Sequence, residues 1–415
     1  MKSILDSKKN KSALIIGINF APEITGIGRY TGEMVKWLCN KNVNCTVITA
    51  YPYYPQWQIQ KPYKNKFYVK EISENGKLIV YRCPIYVPKN PNGLNRILLD
   101  LSFFITASFV VLFLLARPKI KQIYCIAPPF HTGLLGIIYK FFKGGVLNYH
   151  IQDLQIEAAK ELKLIKSNFL IKFLSSIEYF ILRKSSNIST ISSSMAFLIE
   201  KKVDKKIVIF PNWVDCSRYY PIINIAHKRN KYGFTKEQKL IAYAGSIGEK
   251  QGIEQIILLA KHFRNHKNWV FIIVGSGPNL FMIKKLADAE NLINIQFLPI
   301  IDEECFNDFL NMVDIHLVLQ KRGTSNLVMP SKLLNIFASG GITIVSTDEN
   351  SEIAQLFESK SLGFYVDCGN TTELLAKLEN LPSNLQDIRD SAARYAKDYL
   401  NINTVLSNYF CKILE

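Results

Sequence analysis

The residues best suited to chemistry sit in a few turns, each following a short apolar run and preceding an amphipathic one. The first is Asn19-Phe20-Ala21-Pro22-Glu23-Ile24-Thr25-Gly26-Ile27-Gly28-Arg29-Tyr30, entered from the run Ala13-Leu14-Ile15-Ile16. Free backbone N–H groups and the helix dipole converge on such a turn and favour an anion. Gly26 and Gly28 let a phosphate or a sugar approach the backbone, although an ordinary tight turn would use the same glycines. A third glycine at the dinucleotide spacing is missing, so an NAD site of the Rossmann type fits poorly. In Tyr149-His150-Ile151-Gln152-Asp153-Leu154, His150 and Asp153 fall at the end of a strand, where open α/β sheets bind ligands. They could position or deprotonate an acceptor hydroxyl, or simply be a hydrogen-bonded polar pair.

The second half repeats the pattern three times. Ala244-Gly245-Ser246-Ile247-Gly248-Glu249-Lys250-Gln251-Gly252 follows a strand, and Lys250 at its mouth suits a diphosphate leaving group. Val274-Gly275-Ser276-Gly277-Pro278 is a further strand exit, suited to backbone contact with a base. Met329-Pro330-Ser331-Lys332-Leu333-Leu334-Asn335 opens a helix, with Pro330 near its start and Ser331 as candidate cap. Its N–H groups, the Ser331 hydroxyl and the Lys332 ammonium would together cradle a diphosphate. Any one of these turns is common; several at strand ends in one chain are not.

The elements that must carry these turns alternate as in βαβ units and parallel sheets. Strands are expected at 13–18, 44–50, 78–82, 121–126, 145–150 and 187–191, then at 239–244, 269–274, 294–298, 314–319, 342–346 and 363–366. Helices are expected between them, among others at 28–41, 168–184, 252–266, 279–290, 303–312 and 331–339. With 415 residues, two domains are the natural division. We place an acceptor-side Rossmann-like domain at 1–205, a nucleotide-sugar-binding one at 206–385, and a terminal helix at 386–415 that packs back across the junction. The fold class is α/β, with two tandem doubly wound domains facing across a cleft.

Charge divides the chain. The net charge is +17, and residues 1–210 hold 30 Lys/Arg against 12 Asp/Glu while the remainder is close to neutral. A basic first half favours anionic lipid headgroups, pyrophosphates or nucleic acid. The eight cysteines are scattered without a C-x-x-C pair, which suits a reducing compartment and supplies neither a disulfide framework nor a metal cluster. No h-region followed by a cleavage site opens the sequence, so no signal peptide is expected. Ile97 to Ala116 has Asp100 as its single charge and is long enough to cross a bilayer. A crossover helix between the strands at 78–82 and 121–126 is the preferred reading, because a span would put those strands on opposite sides of a membrane.

Taken together, the motifs resemble those of a retaining glycosyltransferase of family 4 with the GT-B fold, in the subgroup of colanic-acid, O-antigen and capsule enzymes. The stretches that carry the resemblance are Phe20–Thr31, Tyr51-Pro52-Tyr53-Tyr54-Pro55, Tyr86-Val87-Pro88-Lys89, Pro128-Pro129, His150–Leu154, Ile209–Asp215, Gly245–Gly252 and Met329–Gly340. By that resemblance Gly26 and Gly28 border the donor phosphate and sugar, Lys250 is the phosphate lysine, and Ser331 with Lys332 forms the diphosphate loop. Relatives carry two glutamates eight positions apart where this chain has Leu327 and Asn335, and an arginine where it has Ser246. Asn335 can still hydrogen-bond a ribose hydroxyl.

The resemblance implies transfer of a sugar, with retention, from a nucleoside diphosphate sugar to a polyprenyl-diphosphate-linked acceptor in surface polysaccharide synthesis. No metal site is visible in the sequence and no cofactor is expected, and the basic first half with the apolar run from Ile97 to Ala116 suggests a peripheral place on the anionic inner face of the bacterial cytoplasmic membrane. A sugar-nucleotide epimerase would share the fold and donor site. A nucleic-acid-binding protein would use the basic half, but its basic residues are dispersed and form no reader motif, so nucleic acid is not an expected partner.

Overall fold

The computed structural model describes residues 11–24, 26–89, 93–161, 167–322 and 330–414. They form two compact units, Met1–Pro211 with Leu406–Glu415, and Asn212–Val405.

In the first unit the chain order is β1 (Ser12–Ile16), α1 (Gly26–Asn40), β2 (Asn44–Ala50), β3 (Val69–Ser73), β4 (Leu78–Cys83), α2 (Gly93–Leu115), β5 (Gln122–Ala127), α3 (Thr132–Lys143), β6 (Val146–Ile151), α4 (Gln155–Glu161), α5 (Asn168–Lys184), β7 (Asn187–Thr190), α6 (Ser193–Glu200) and β8 (Ile207–Ile209). The sheet runs β3-β4-β2-β1-β5-β6-β7-β8. It is parallel except for β3, which pairs antiparallel with β4 at the edge. Valine and isoleucine fill the central strands because helices cover both faces, as with buried Leu14, Ile15, Val47 and Ile123. Right-handed crossovers put α1 on one face. The oppositely directed steps put α2, α3 and α5 on the other, where α2 packs on α3 and α3 on α5.

Because α2 joins β4 to β5 within one sheet, it is the crossover helix. Leu99, Phe103, Ala107, Val111 and Leu114 are its buried side.

The second unit comprises α7 (Ala226–Lys231), β9 (Lys239–Ala244), α8 (Glu254–His262), β10 (Trp269–Val274), α9 (Leu280–Ala289), β11 (Ile295–Leu298), α10 (Glu303–Met312), β12 (Ile315–Val318), α11 (Ser331–Ala338), β13 (Thr343–Thr347), α12 (Glu352–Lys360), β14 (Phe364–Asp367), α13 (Thr371–Glu379) and α14 (Gln386–Tyr395). A π turn at Ala396–Leu400 leads into α15 (Ile402–Leu414). The sheet order is β11-β10-β9-β12-β13-β14, and all its pairings are parallel. This is the doubly wound order whose direction reverses between its first and fourth strands, here β9 and β12, and ligands bind outside the strand ends at such a reversal.

The division differs from the expected domains at both ends. β8 completes the first sheet, so the first unit extends to Pro211 rather than ending at 205. Residues 386–405 stay with the second unit, where Arg389 Nη1 donates to Gly340 O at 3.3 Å and Tyr395 meets Phe337 edge to face. Only the chain from Leu406 onward belongs to the first unit. There Phe410 stacks on Trp37 of α1, with ring centroids 5.7 Å apart.

Phe210 shows how that segment is held. Its ring stacks on Tyr409 at 3.6 Å and meets His150 at 4.9 Å. Phe210→Ala should cost about 3–5 kcal/mol of first-unit stability, read from urea unfolding, with Phe210→Leu costing less. A loss too small to measure would show that the stack is not structural.

Candidate active site

Beside the reversal point of the second sheet the exits of β9 and β10 meet through their backbones. Gly245 N–H donates to Val274 O at 2.9 Å and Ile247 N–H to Ser276 O at 2.9 Å. A Cβ on Gly275 would lie 1.9 Å from Gly245 O, so only glycine permits this approach. From the next exit, Lys321 N–H donates to Lys250 O at 2.8 Å, which ties β12 to the turn carrying Lys250. The Lys250 side chain itself is exposed.

Lys332 reaches into this junction from the first turn of α11. Its Nζ lies 3.9 Å from the Tyr243 ring centroid and 3.0 Å from where a Gly245 Cβ would stand. Tyr243 is held by its hydroxyl, which donates to Ser246 O at 2.6 Å. Burial of the ammonium pulls the Lys332 pKa down to about 7, because a charge removed from water is disfavoured. Pro330, not Ser331, occupies the N-cap position, and among the described residues no side chain caps the helix. The expected Ser331 cap is therefore corrected. Pro330 has no N–H to satisfy, and Ser331, as first helical residue, is exposed at an uncapped N-terminus. Asn335 follows four residues later on the same helical face.

In the first unit the corresponding reversal lies between β1 and β5. Glu23, in the loop after β1, is buried. It accepts from Tyr53 N and Tyr54 N at 3.0 Å each and from Asn19 Nδ2 at 2.9 Å. Burial raises its pKa, and those hydrogen bonds oppose the rise. A Cβ on Gly28 would lie 2.4 Å from Glu23 Oε2. Gly28 is thus covered by protein, which corrects the expectation that it borders a donor phosphate. Gly26, the first residue of α1, has φ +60°, and a Cβ there would stand 3.5 Å from the Tyr54 ring. After β5, His131 Nε2 lies 3.1 Å from the backbone oxygen of Asp100. Burial lifts the Asp100 carboxyl to about 7, against a hydrogen bond from Gln155 and the charge of Arg96.

His150 is also corrected. Its ring is inside the unit, with Nδ1 3.0 Å from Ser189 Oγ, which in turn lies 3.0 Å from Tyr409 OH. Burial holds its pKa down at about 3, so it is neutral near pH 7 and enclosed by protein. Asp153, beyond the end of β6, is exposed.

Residues 224–399 match the family described as Glycosyl transferases group 1. Over 353 residues the chain is 38% identical to the putative colanic acid biosynthesis glycosyl transferase WcaI of Escherichia coli K12, covering 83% of this chain and 86% of that protein. The chain belongs to the group 1 glycosyl transferases. Among solved structures it resembles sucrose-phosphate synthase from Thermosynechococcus elongatus, with a TM-score of 0.74 at 12% identity over 98% of this chain and 99% of that one. It also resembles Anabaena HepE in complex with UDP and glucose, with a TM-score of 0.69 at 13% identity over 97% and 99%. Both likenesses concern the fold.

The transferase thus brings Gly245, Gly275, Ser276 and Lys332 into one junction, with Lys250 on the same turn. Leu327 and Met329 lie outside the described residues, as does Thr25. Sequence reasoning missed Tyr243, Glu23, Asp100 and His131. A lone carboxylate in each of two otherwise apolar stretches was the available signal for Glu23 and Asp100. Among the described residues no three His, Cys, Asp or Glu side chains gather as a metal site.

The Lys332 pKa sets a pH dependence. A bound diphosphate favours the ammonium and raises its pKa above the free value of about 7. Affinity for a nucleoside diphosphate should be flat below that pH and fall as pH rises above it. The fall should approach about tenfold per unit until the bound-state pKa is passed. Calorimetry in buffers of different ionisation enthalpy should show proton uptake at pH 8 that disappears in Lys332→Met. An unchanged slope in that variant would remove Lys332 from the anion site.

Proposed function

We propose that this transferase moves a sugar from a nucleoside diphosphate sugar to a lipid-linked saccharide in bacterial surface polysaccharide synthesis, with retention at the anomeric carbon and without a metal. The observation that carries the reading is the half-buried Lys332 ammonium at the start of α11, against the Gly245 exit and its junction with Gly275. A leaving diphosphate gains negative charge as its bond to the sugar breaks, and fixed cations and N–H dipoles stabilise that charge without reorganising. Lys332, the α11 N-terminus and Lys250 fill this role. Ser276 and Gly275 lie beside the base, and Ser331 and Asn335 offer hydroxyl and amide groups to phosphate and ribose.

As the bond between sugar and phosphate breaks, its electron pair departs on the phosphate oxygen. The acceptor oxygen bonds to the anomeric carbon from the face the diphosphate leaves, its proton passes to the departing phosphate oxygen, and Asp153 orients that hydroxyl. With His150 enclosed, Asp153 is the remaining candidate of the pair. The polysaccharide class follows from the name of WcaI, and a UDP-sugar is the first donor to test because HepE was solved with UDP-glucose. A lipid-linked acceptor places the enzyme on the cytoplasmic face of the membrane, where anionic headgroups meet its basic half.

A thermal-shift screen against UDP-, GDP- and dTDP-sugars should find the donor, since a ligand at 100-fold over its Kd adds about 2.7 kcal/mol. With that donor, sugar should appear on a polyprenyl-diphosphate-linked acceptor. An epimerised nucleotide sugar formed without acceptor would overturn the transferase mechanism proposed here. Lys332→Met and Lys250→Ala should each lower kcat/KM about 10²–10³-fold in a folded protein. Asp153→Asn should lose turnover while keeping donor affinity. Equal loss of both would make Asp153 a donor-side residue.

A further inference from the structure

The α2 helix is apolar all round, yet half of it faces outward. Leu98, Leu101, Ile105, Phe109 and Leu112 recur at three- and four-residue spacing and form one stripe. Phe109 is 61% exposed and Ile105 57%, while Phe103 on the opposite side is 0% exposed. An all-apolar helix is ordinarily enclosed, and a contiguous exposed apolar strip marks an interaction surface. With 23 residues the helix runs about 34 Å, and the stripe from Leu98 to Leu112 takes about 21 Å of it.

The neighbouring helices of the same layer also expose aromatic rings. Phe141, at the end of α3, is 80% exposed, and so is Phe169, at the start of α5, with Phe173 one turn further on. Charge on this layer has one sign. α2, α3 and α5, with the 116–121 connection, contain only two carboxylates. One is Asp100, lifted to about 7 by burial. The other is Glu178, buried and paired with Lys202.

Cations crowd the end of the layer where α2 and α3 finish. Lys119 Nζ stands 2.9 Å from where a Gly144 Cβ would be. Lys140 Nζ donates to Lys184 O at 3.0 Å, and Lys205 Nζ donates to Arg183 O at 2.7 Å. These groups spend backbone oxygens, rather than carboxylates, on one another's neighbourhood. Besides burial, mutual repulsion lowers the Lys140 and Lys205 pKa values.

We propose that the outer face of α2, α3 and α5 docks this transferase in the interfacial layer of an anionic bilayer, with α2 lying in the membrane plane and the lysine-rich end against lipid headgroups. Apolar area and basic charge on one face are the two terms of such binding. The helix lies flat rather than spanning, because its inner side is packed on the sheet it crosses. The proposal rests on the lipid-linked acceptor reading for its purpose, while its observations are independent of that reading.

The test is flotation of the full-length protein with phosphatidylcholine vesicles, with and without phosphatidylglycerol. Wild type should float only with phosphatidylglycerol and be released by high salt. Phe109→Gln with Leu112→Gln should weaken binding at least tenfold, and Lys119→Gln and Lys121→Gln about fivefold each, with unchanged melting and nucleotide affinity. No binding at low salt would overturn the proposal. So would binding that survives both salt and carbonate, which would mean a spanning α2. A dimer in light scattering that Phe109→Gln dissolves would assign the face to a second copy instead. If vesicles bind as stated but no sugar is transferred, the docking face stands and only the acceptor reading fails.

Discussion

An ammonium group drawn out of water costs free energy unless something negative compensates it, and the second unit is arranged around a half-buried one that has no charged partner among the described residues. Burial alone sets the shift at Lys332, with no charged neighbour contributing. What it has instead is the face of the Tyr243 ring, whose quadrupole attracts a cation but does not neutralise it. Every nearby feature serves to keep that position. Tyr243 is pinned through Ser246, Gly245 leaves the space, and the backbone junction of Gly245 with Gly275 fixes the floor. α14 braces the far end of α11 through Arg389 and Tyr395. A site that places a cation without a charged partner among the described residues is already organised for an anion, so charge developing on a leaving group meets groups that need not move.

Much of this was legible in the sequence, for a definite reason. Central parallel strands buried on both faces must be short apolar runs, and turns at their ends must be glycine-bearing, so the strands and the turns at Gly245, Gly275 and Lys332 are visible together. The elements that escaped lack that signature. Val69-Lys70-Glu71-Ile72-Ser73 is a largely exposed edge strand, with no covered face to impose a pattern, and Ile207–Ile209 has only three residues.

Side-chain direction escaped for a different reason. His150 and Asp153 are three residues apart at the end of one strand, and sequence shows that both are near the sheet edge. It does not show which way each points. The pleat turns His150 inward to Ser189, and the chain beyond β6 leaves Asp153 outside. Gly28 misled similarly. Its lack of a side chain serves Glu23 rather than a ligand. Glycine records that something comes close, and only the structure says what.

Asp100 unites the two sides of α2. In sequence it is the one charge in a run otherwise fit for a membrane. In the structure the run is neither purely core nor a span, since its inner side seats on the sheet and its outer side is apolar and open. Asp100, on the second turn, sits with its backbone at His131 and its carboxyl at Gln155, beside the reversal point of the first sheet. A half-buried carboxyl near neutrality is tolerable there because Gln155 donates to it, whereas the same group on the outer stripe would break the apolar surface. One helix thus carries a polar group to the strand ends where ligands of such sheets bind and keeps an uncharged face along its opposite side. Those two demands explain why a crossover that needed only one apolar side has two.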